Sequence, residues 1–238
     1  MKLSRLVLIV SLLASGVLAV SGPGVRLHLW PFTSGLLLFA IGALGALAAL
    51  VSCAVLLSLP RARAGASRSL LAAGLLALVS SAVPLSLLPQ ARRSPAINDI
   101  STDRAEPPTF VALAPLRAAT PNPGGRVAGP EVTAAQRWAY PDIRPLELPM
   151  PPAAAYPRAL AATRDMGWEV VAADPVSFRI EATATTFWFG FKDDVAIRVV
   201  RTAAGSRVDI RSASRVGKGD AGTNARRVRT FLAKLARA

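Results

Sequence analysis

Phe178-Arg179-Ile180-Glu181-Ala182-Thr183-Ala184-Thr185 alternates apolar and polar residues without a break. Side chains of a strand point to opposite faces in turn, so the pattern predicts a strand with one face in a core and one polar face. Two further stretches repeat it. Val195, Ile197 and Val199 alternate with Asp194, Ala196 and Arg198, and Val208 and Ile210 alternate with Arg207, Asp209 and Arg211. Trp168-Glu169-Val170-Val171-Ala172 reads as a strand ahead of them, and Gly205 marks the last turn. Pairing Val199 with Val208 and Ile197 with Ile210 sets Arg198 across from Asp209, a favourable opposite-charge pair. The expected sheet is a four-stranded antiparallel meander.

Helices flank it. Ala154, Leu160, Ala161, Met166 and Trp168 fit one side of a helix over residues 152–167, with Gly167 to end it. Ala225, Val228, Leu232 and Leu235 form the apolar stripe of a second helix from Thr223 to Ala236, with Asp220 just before its start. Both helices are expected on the apolar sheet face, which makes residues 152–238 a two-layer α+β domain. Residues 91–151 precede it as a Pro-rich extended segment. Twelve prolines lie between Pro107 and Pro157, and each removes a donor and biases its predecessor toward extended backbone. Thr120-Pro121-Asn122-Pro123-Gly124-Gly125 reads as a turn or joint.

Charge divides the chain. Of its 238 residues, 28 are Lys or Arg and 14 are acids, a net charge of +14, yet the first acid is Asp99. Residues 1–90 therefore form a membrane domain, an α-helical transmembrane anchor with spans at 6–22, 35–59 and 69–88. About 20 apolar residues cross the hydrocarbon core. The first span also reads as a cleavable signal peptide ending at Val17-Leu18-Ala19; two further spans favour its retention. Lys2 and Arg5, then Arg61, Arg63 and Arg68, outweigh Arg92 and Arg93 in the positive-inside count. The expected topology has a cytoplasmic N-terminus and an extracytoplasmic C-terminal domain. No span holds an Asp, Glu, Lys, Arg or His, which argues against an ion or proton pathway. Span two is rich in small residues, including Ala40, Gly42, Gly45, Ala46 and Ala49, and offers a docking face for a scaffold subunit.

Candidate chemistry is sparse. A single cysteine, Cys53, and a single histidine, His28, exclude an internal disulfide and a Cys/His zinc site, and no cofactor or metal is expected. Arg179, Arg211 and Arg215, with the hydroxyls of Ser212 and Ser214, suggest an anion site, since guanidinium forks suit carboxylate or phosphate; the interleaved acids equally suggest a solvated sheet face whose charges pair with each other. Glu181, Asp193 and Asp194 are an alternative carboxylate site for acid–base or metal-assisted hydrolase or transferase chemistry. Asp99, Asp103 and Glu106 form another oxygen-rich cluster. Phe187-Trp188-Phe189-Gly190-Phe191 reads as packing over a sheet end or as a wedge touching lipid or a partner. From Arg211 to Ala238 there are eight basic residues against one acid, suited to anionic headgroups. An exported domain would not meet nucleic acid.

Several motifs together carry a resemblance: Asn98-Asp99-Ile100-Ser101-Thr102-Asp103 with Pro107-Pro108, Tyr140-Pro141-Asp142-Ile143 and Met166-Gly167-Trp168. They continue with Ile180-Glu181-Ala182-Thr183, Phe189-Gly190-Phe191-Lys192-Asp193-Asp194, Arg211-Ser212-Ala213-Ser214-Arg215-Val216-Gly217, and then Asp220, Gly222, Asn224 and Arg227. Over residues 97–236 the chain resembles a bacterial family known as domain of unknown function 1499. The resemblance implies a domain that is often secreted or fused to membrane helices, and no activity or cofactor. The expected function is a non-enzymatic, membrane-anchored envelope protein that binds membrane lipids, an anionic envelope component or another membrane protein.

Overall fold

The computed structural model describes residues 3–60, 68–123 and 129–237. Arg61 and Arg63 of the orientation argument, Lys2, and Gly124-Gly125 of the expected joint lie outside the described residues. The chain divides into two compact units, residues 1–89 with Phe187–Gly190, and residues 90–186 with 191–238.

The first unit is built on α1 (Leu3–Arg26), α2 (Phe32–Ser58) and α3 (Arg68–Arg93), all long and apolar enough to cross a membrane. Each runs past at least one end of its apolar window, because a helix has no reason to stop where the greasy residues do. Pro84 and Pro89 both lie inside α3. Small residues let α1 and α2 pack closely. A Cβ at Gly42 would stand 2.8 Å from the backbone nitrogen of Leu18, and one at Gly45 3.0 Å from the Cβ of Ala14. Gly42, Ala46, Ala49 and Cys53 of α2 are buried inside this unit. Much of the small-residue face expected to receive another protein is thus occupied by the chain's own helices. Ser11 Oγ donates to the carbonyls of Val7 (2.9 Å) and Ala73 (3.3 Å), and the hydroxyls of Ser15 and Ser80 lie 2.7 Å apart, so α1 also binds α3. The aromatic run contributes here: the Arg26 guanidinium donates to the Phe187 carbonyl at 2.7 Å, and Phe39 and Phe189 meet edge to face at 5.9 Å.

Gly42→Leu should separate the first two helices, since the obstacle is backbone that cannot move aside; overpacking of this kind costs about 1–3 kcal/mol. In a Cys53→Ser background, Ala14→Cys with Gly45→Cys should cross-link on oxidation, and adding Gly42→Leu should abolish the cross-link. Undiminished cross-linking would show that the helices do not pack as described.

The second unit contains a six-stranded antiparallel sheet, not the expected four. Its strands are β1 (Asp99–Ser101), β2 (Leu146–Leu148), β3 (Glu169–Asp174), β4 (Arg179–Thr185), β5 (Lys192–Thr202) and β6 (Gly205–Ser214). The order is β1-β6-β5-β4-β3, and β2 shares the outer edge of β6 with β1. The central register is as expected, with Val199 opposite Val208, Ile197 opposite Ile210 and Arg198 opposite Asp209. The extra strands come from the Pro-rich segment, which also folds into α4 (Ala114–Ala118) and α5 (Pro130–Ala139). Regular structure therefore begins well before Ala153. These strands form because β6 offers a free edge, which pairs a three-residue segment lacking any pattern of its own.

α6 (Pro152–Asp165) and α7 (Thr223–Leu235) supply the core with Ala155, Ala159, Val228 and Phe231, against Ile180, Val195, Ile197 and Ile210 of the sheet. Trp168 stacks on Phe231 at 5.8 Å. Asp220 accepts the N–H groups of Gly222 and Asn224, each at 2.8 Å, at the start of α7. Burial pushes its carboxyl above the ordinary value despite those bonds. The other sheet face is not left to solvent. Residues 103–117 cross it as a strap, a third, irregular layer beyond the two expected.

Candidate functional site

Strand alternation places Arg179, Glu181, Thr183, Asp194, Arg198, Asp209 and Arg211 on the strap side of the sheet, and Arg215 follows from the end of β6. Asp193, Ser212 and Ser214 point to the helix side. The two candidate sites are therefore each split between two faces. The same period of two that revealed the strands dictates this.

On the strap side, charges pair with one another. Asp194 is fully buried and accepts from Arg117 Nη1 (2.8 Å), Arg215 Nε and Nη2 (2.9 and 2.8 Å) and Thr183 Oγ1 (2.8 Å). Burial pulls the Asp194 carboxyl upward, but the bonds from Arg215, Thr183 and Arg117 outweigh it and hold the group below the ordinary carboxylate range. The same hydrogen bond to Asp194 raises Arg215. Arg117, 1% exposed, also donates to the carbonyls of Ala213 (3.0 Å) and Asn122 (2.8 Å). Glu181 receives the backbone N–H groups of Val111, Ala112 and Leu113 at 2.9–3.1 Å, with Arg179 Nε 3.3 Å away. Arg211 makes a two-pronged pair with Asp99, at 2.9 and 2.6 Å. The Phe110 ring lies against both Arg117 and Arg211, at 4.7 and 4.9 Å.

Along the same face, Arg198 Nη2 bridges Asp103 and Asp209, each at 3.1 Å, and Arg207 binds the same two acids. Asp103 Oδ1 accepts the N–H groups of Ala105 (3.1 Å) and Glu106 (2.9 Å). Burial would raise the Asp103 carboxyl; the Glu106 N–H and the two guanidiniums bring it below its ordinary value. Asp99 and Asp103, two of the oxygen-rich cluster, are thus counter-ions of arginines.

On the helix side, Arg227 Nη2 reaches Asp193 at 2.6 Å. Ser212 Oγ donates to Asn224 Oδ1 (2.7 Å), and Asn224 Nδ2 donates to Ser214 Oγ (3.0 Å) and the Asn98 carbonyl (3.0 Å). Here the hydroxyls tie α7 to the sheet end. Glu181, Asp193 and Asp194 are each at most 3% exposed and each sits in an ion pair, with Asp193 and Asp194 on opposite faces. An acid–base pair needs both groups within reach of one substrate.

Sequence reasoning missed Arg117 and Asn224 as network members. Arg117 had no signal, being one arginine in an aperiodic proline-rich stretch. A cleft of about 270 Å³ was missed as well; Thr102, Asp103, Arg104, Arg137, Pro145 and Arg207 line it. It joins the 102–105 loop to α5, two segments whose sequences give no reason to meet.

Comparison with curated proteins finds no match. The family model described as "Protein of unknown function (DUF1499)" matches residues 99–235, from the first residue of β1 to the last of α7 and more than half of the chain. The chain belongs to this family.

Proposed function

We propose that this protein is a membrane-anchored binding module of the cell envelope, with its folded domain outside the cytoplasm and an anionic or lipidic partner held without covalent chemistry. One observation carries the reading. The carboxylates that would serve an enzyme are closed into ion pairs, while Arg104 and Arg137, which line the cleft, have no carboxylate partner among the described residues. All 14 acids fall within the described residues, so no carboxylate side chain of the chain escapes that comparison. Three spans and the basic residues around them support an inside start and an outside finish.

A reporter at Ala238 tests the location. Alkaline phosphatase there should be active and green fluorescent protein dark; the reverse pattern would place the domain in the cytoplasm. For binding, the full chain in zwitterionic nanodiscs should associate with phosphatidylglycerol vesicles, and salt should weaken the association. No association at low salt would overturn the partner class.

A further inference from the structure

We infer that Arg104 and Arg137 form a site for a phosphate-class oxyanion, carried by a lipid headgroup or free. This rests on the anionic-partner reading and names its site. Around the cleft, Arg104, Arg137 and Arg207 set three positive charges against the one negative charge of Asp103. Arg207 is largely neutralised by Asp103 and Asp209. Two guanidiniums remain without counter-charge, which matches an oxyanion bearing one to two negative charges.

The backbone that carries each arm is pinned. Arg104 lies inside a turn closed by Asp103, whose carboxylate accepts the N–H groups on the far side of it, at Ala105 and Glu106. Asp103 is itself gripped by Arg198 and Arg207. The helix that carries Arg137 is anchored by the neighbouring Gln136, which is buried and trades two hydrogen bonds with the Ser101 backbone, at 3.1 and 2.7 Å. That exchange docks α5 on β1 as a further strand would. Arg104 Nη1 is sealed from solvent without a hydrogen-bond partner, a costly arrangement for a cation. Arg104 also borders the cleft, where an oxyanion supplies the counter-charge that the guanidinium lacks.

A second depression adds a preference. Arg137 also borders an apolar groove of about 510 Å³ formed with Pro130, Ala134 and Trp138, and Trp138 is 83% exposed. A phosphate with an apolar body attached can fill both, with its charge beside Arg137 and its body along Trp138.

The test uses the full chain in zwitterionic nanodiscs, titrated calorimetrically with inorganic phosphate and with dihexanoyl-phosphatidylglycerol below its micelle concentration. Both should bind, the lipid more tightly. Arg104→Ala with Arg137→Ala should weaken both by about tenfold or more, the size of one lost charge-assisted hydrogen bond. Trp138→Ala should weaken the lipid alone. Arg158→Ala with Arg201→Ala, a pair removing the same charge elsewhere on the domain, should change neither. Phosphate binding as tight as lipid binding, both lost in the Arg104/Arg137 variant, would support the site with free phosphate as its source. If wild type binds anionic vesicles while the Arg104/Arg137 variant binds the soluble probes as well as wild type does, or wild type binds neither probe, the site is wrong and the broader reading stands. Failure of wild type to bind anionic vesicles strikes the broader reading itself.

Discussion

Replacing Asp194 by alanine in the full chain is expected to cost about 3–5 kcal/mol of folding free energy, the range for removing one partner of a buried ion pair. Asp194 is fully buried and satisfies Arg117 and Arg215 together, and Arg117 has almost no access to water. Without the carboxylate, two guanidiniums face each other across a dry sheet face. Since domains are stable by only about 5–15 kcal/mol, the loss is a large share of the total. Chemical denaturation followed by tryptophan fluorescence in detergent reads it, with Asp142→Ala as control. Asp142 pairs with Arg229 at the surface, where both partners are exposed, and its removal should change little. Equal midpoints for Asp194→Ala and wild type would refute the account. Acid provides a second check. The folded-state pKa of Asp194 is depressed, so its contribution is present above the unfolded value of about 3.9 and is lost as pH falls through the folded value. The gap between wild type and Asp194→Ala should therefore narrow on acidification.

The sheet was legible where the chain writes its own pattern. Val195, Ile197 and Val199 against Val208 and Ile210 fix a register, because a slip by one residue would turn every apolar side chain to the wrong face. Arg198 and Asp209 confirm it by charge. β1 and β2 were illegible for a matching reason: three residues cannot show a period, and both exist through the edge of β6. The membrane helices were evident from composition, while their ends were not. The site fared worse. Adjacency in sequence suggests that Ser212 and Arg211 act together, although adjacent strand residues face apart. The strap was hidden because three of its anchors are the backbone N–H groups of Val111 to Leu113, which every sequence supplies and none advertises.

Glu181→Ala is expected to release the strap while the sheet stays folded, which distinguishes it from the Asp194 variant. The Glu181 carboxylate is the acceptor for three consecutive backbone N–H groups, Val111 to Leu113. Hydrogen bonds to a charged group contribute about 1.5–3 kcal/mol each, yet the full sum will not appear. Once the strap lifts, water satisfies the freed N–H groups, so the loss is capped by the free energy of local opening. Arg117 adds to the remaining resistance, because its bonds to Asp194 and to the Ala213 carbonyl still hold the strap four residues further on. Amide exchange at Val111–Leu113 should accelerate by about tenfold or more, the rate equivalent of 1.4 kcal/mol or greater. Val195–Val199 in the sheet centre should keep its protection, and proteases should cut within residues 107–113. Glu181→Gln should behave alike, because its amide would turn a donor toward N–H groups that need an acceptor. Unchanged exchange in both variants would mean that the strap is held by its other contacts, at Asp103, Phe110 and Arg117. Loss of protection throughout the sheet would mean that strap and sheet unfold as one cooperative unit, with Glu181 as much a part of the fold as Asp194.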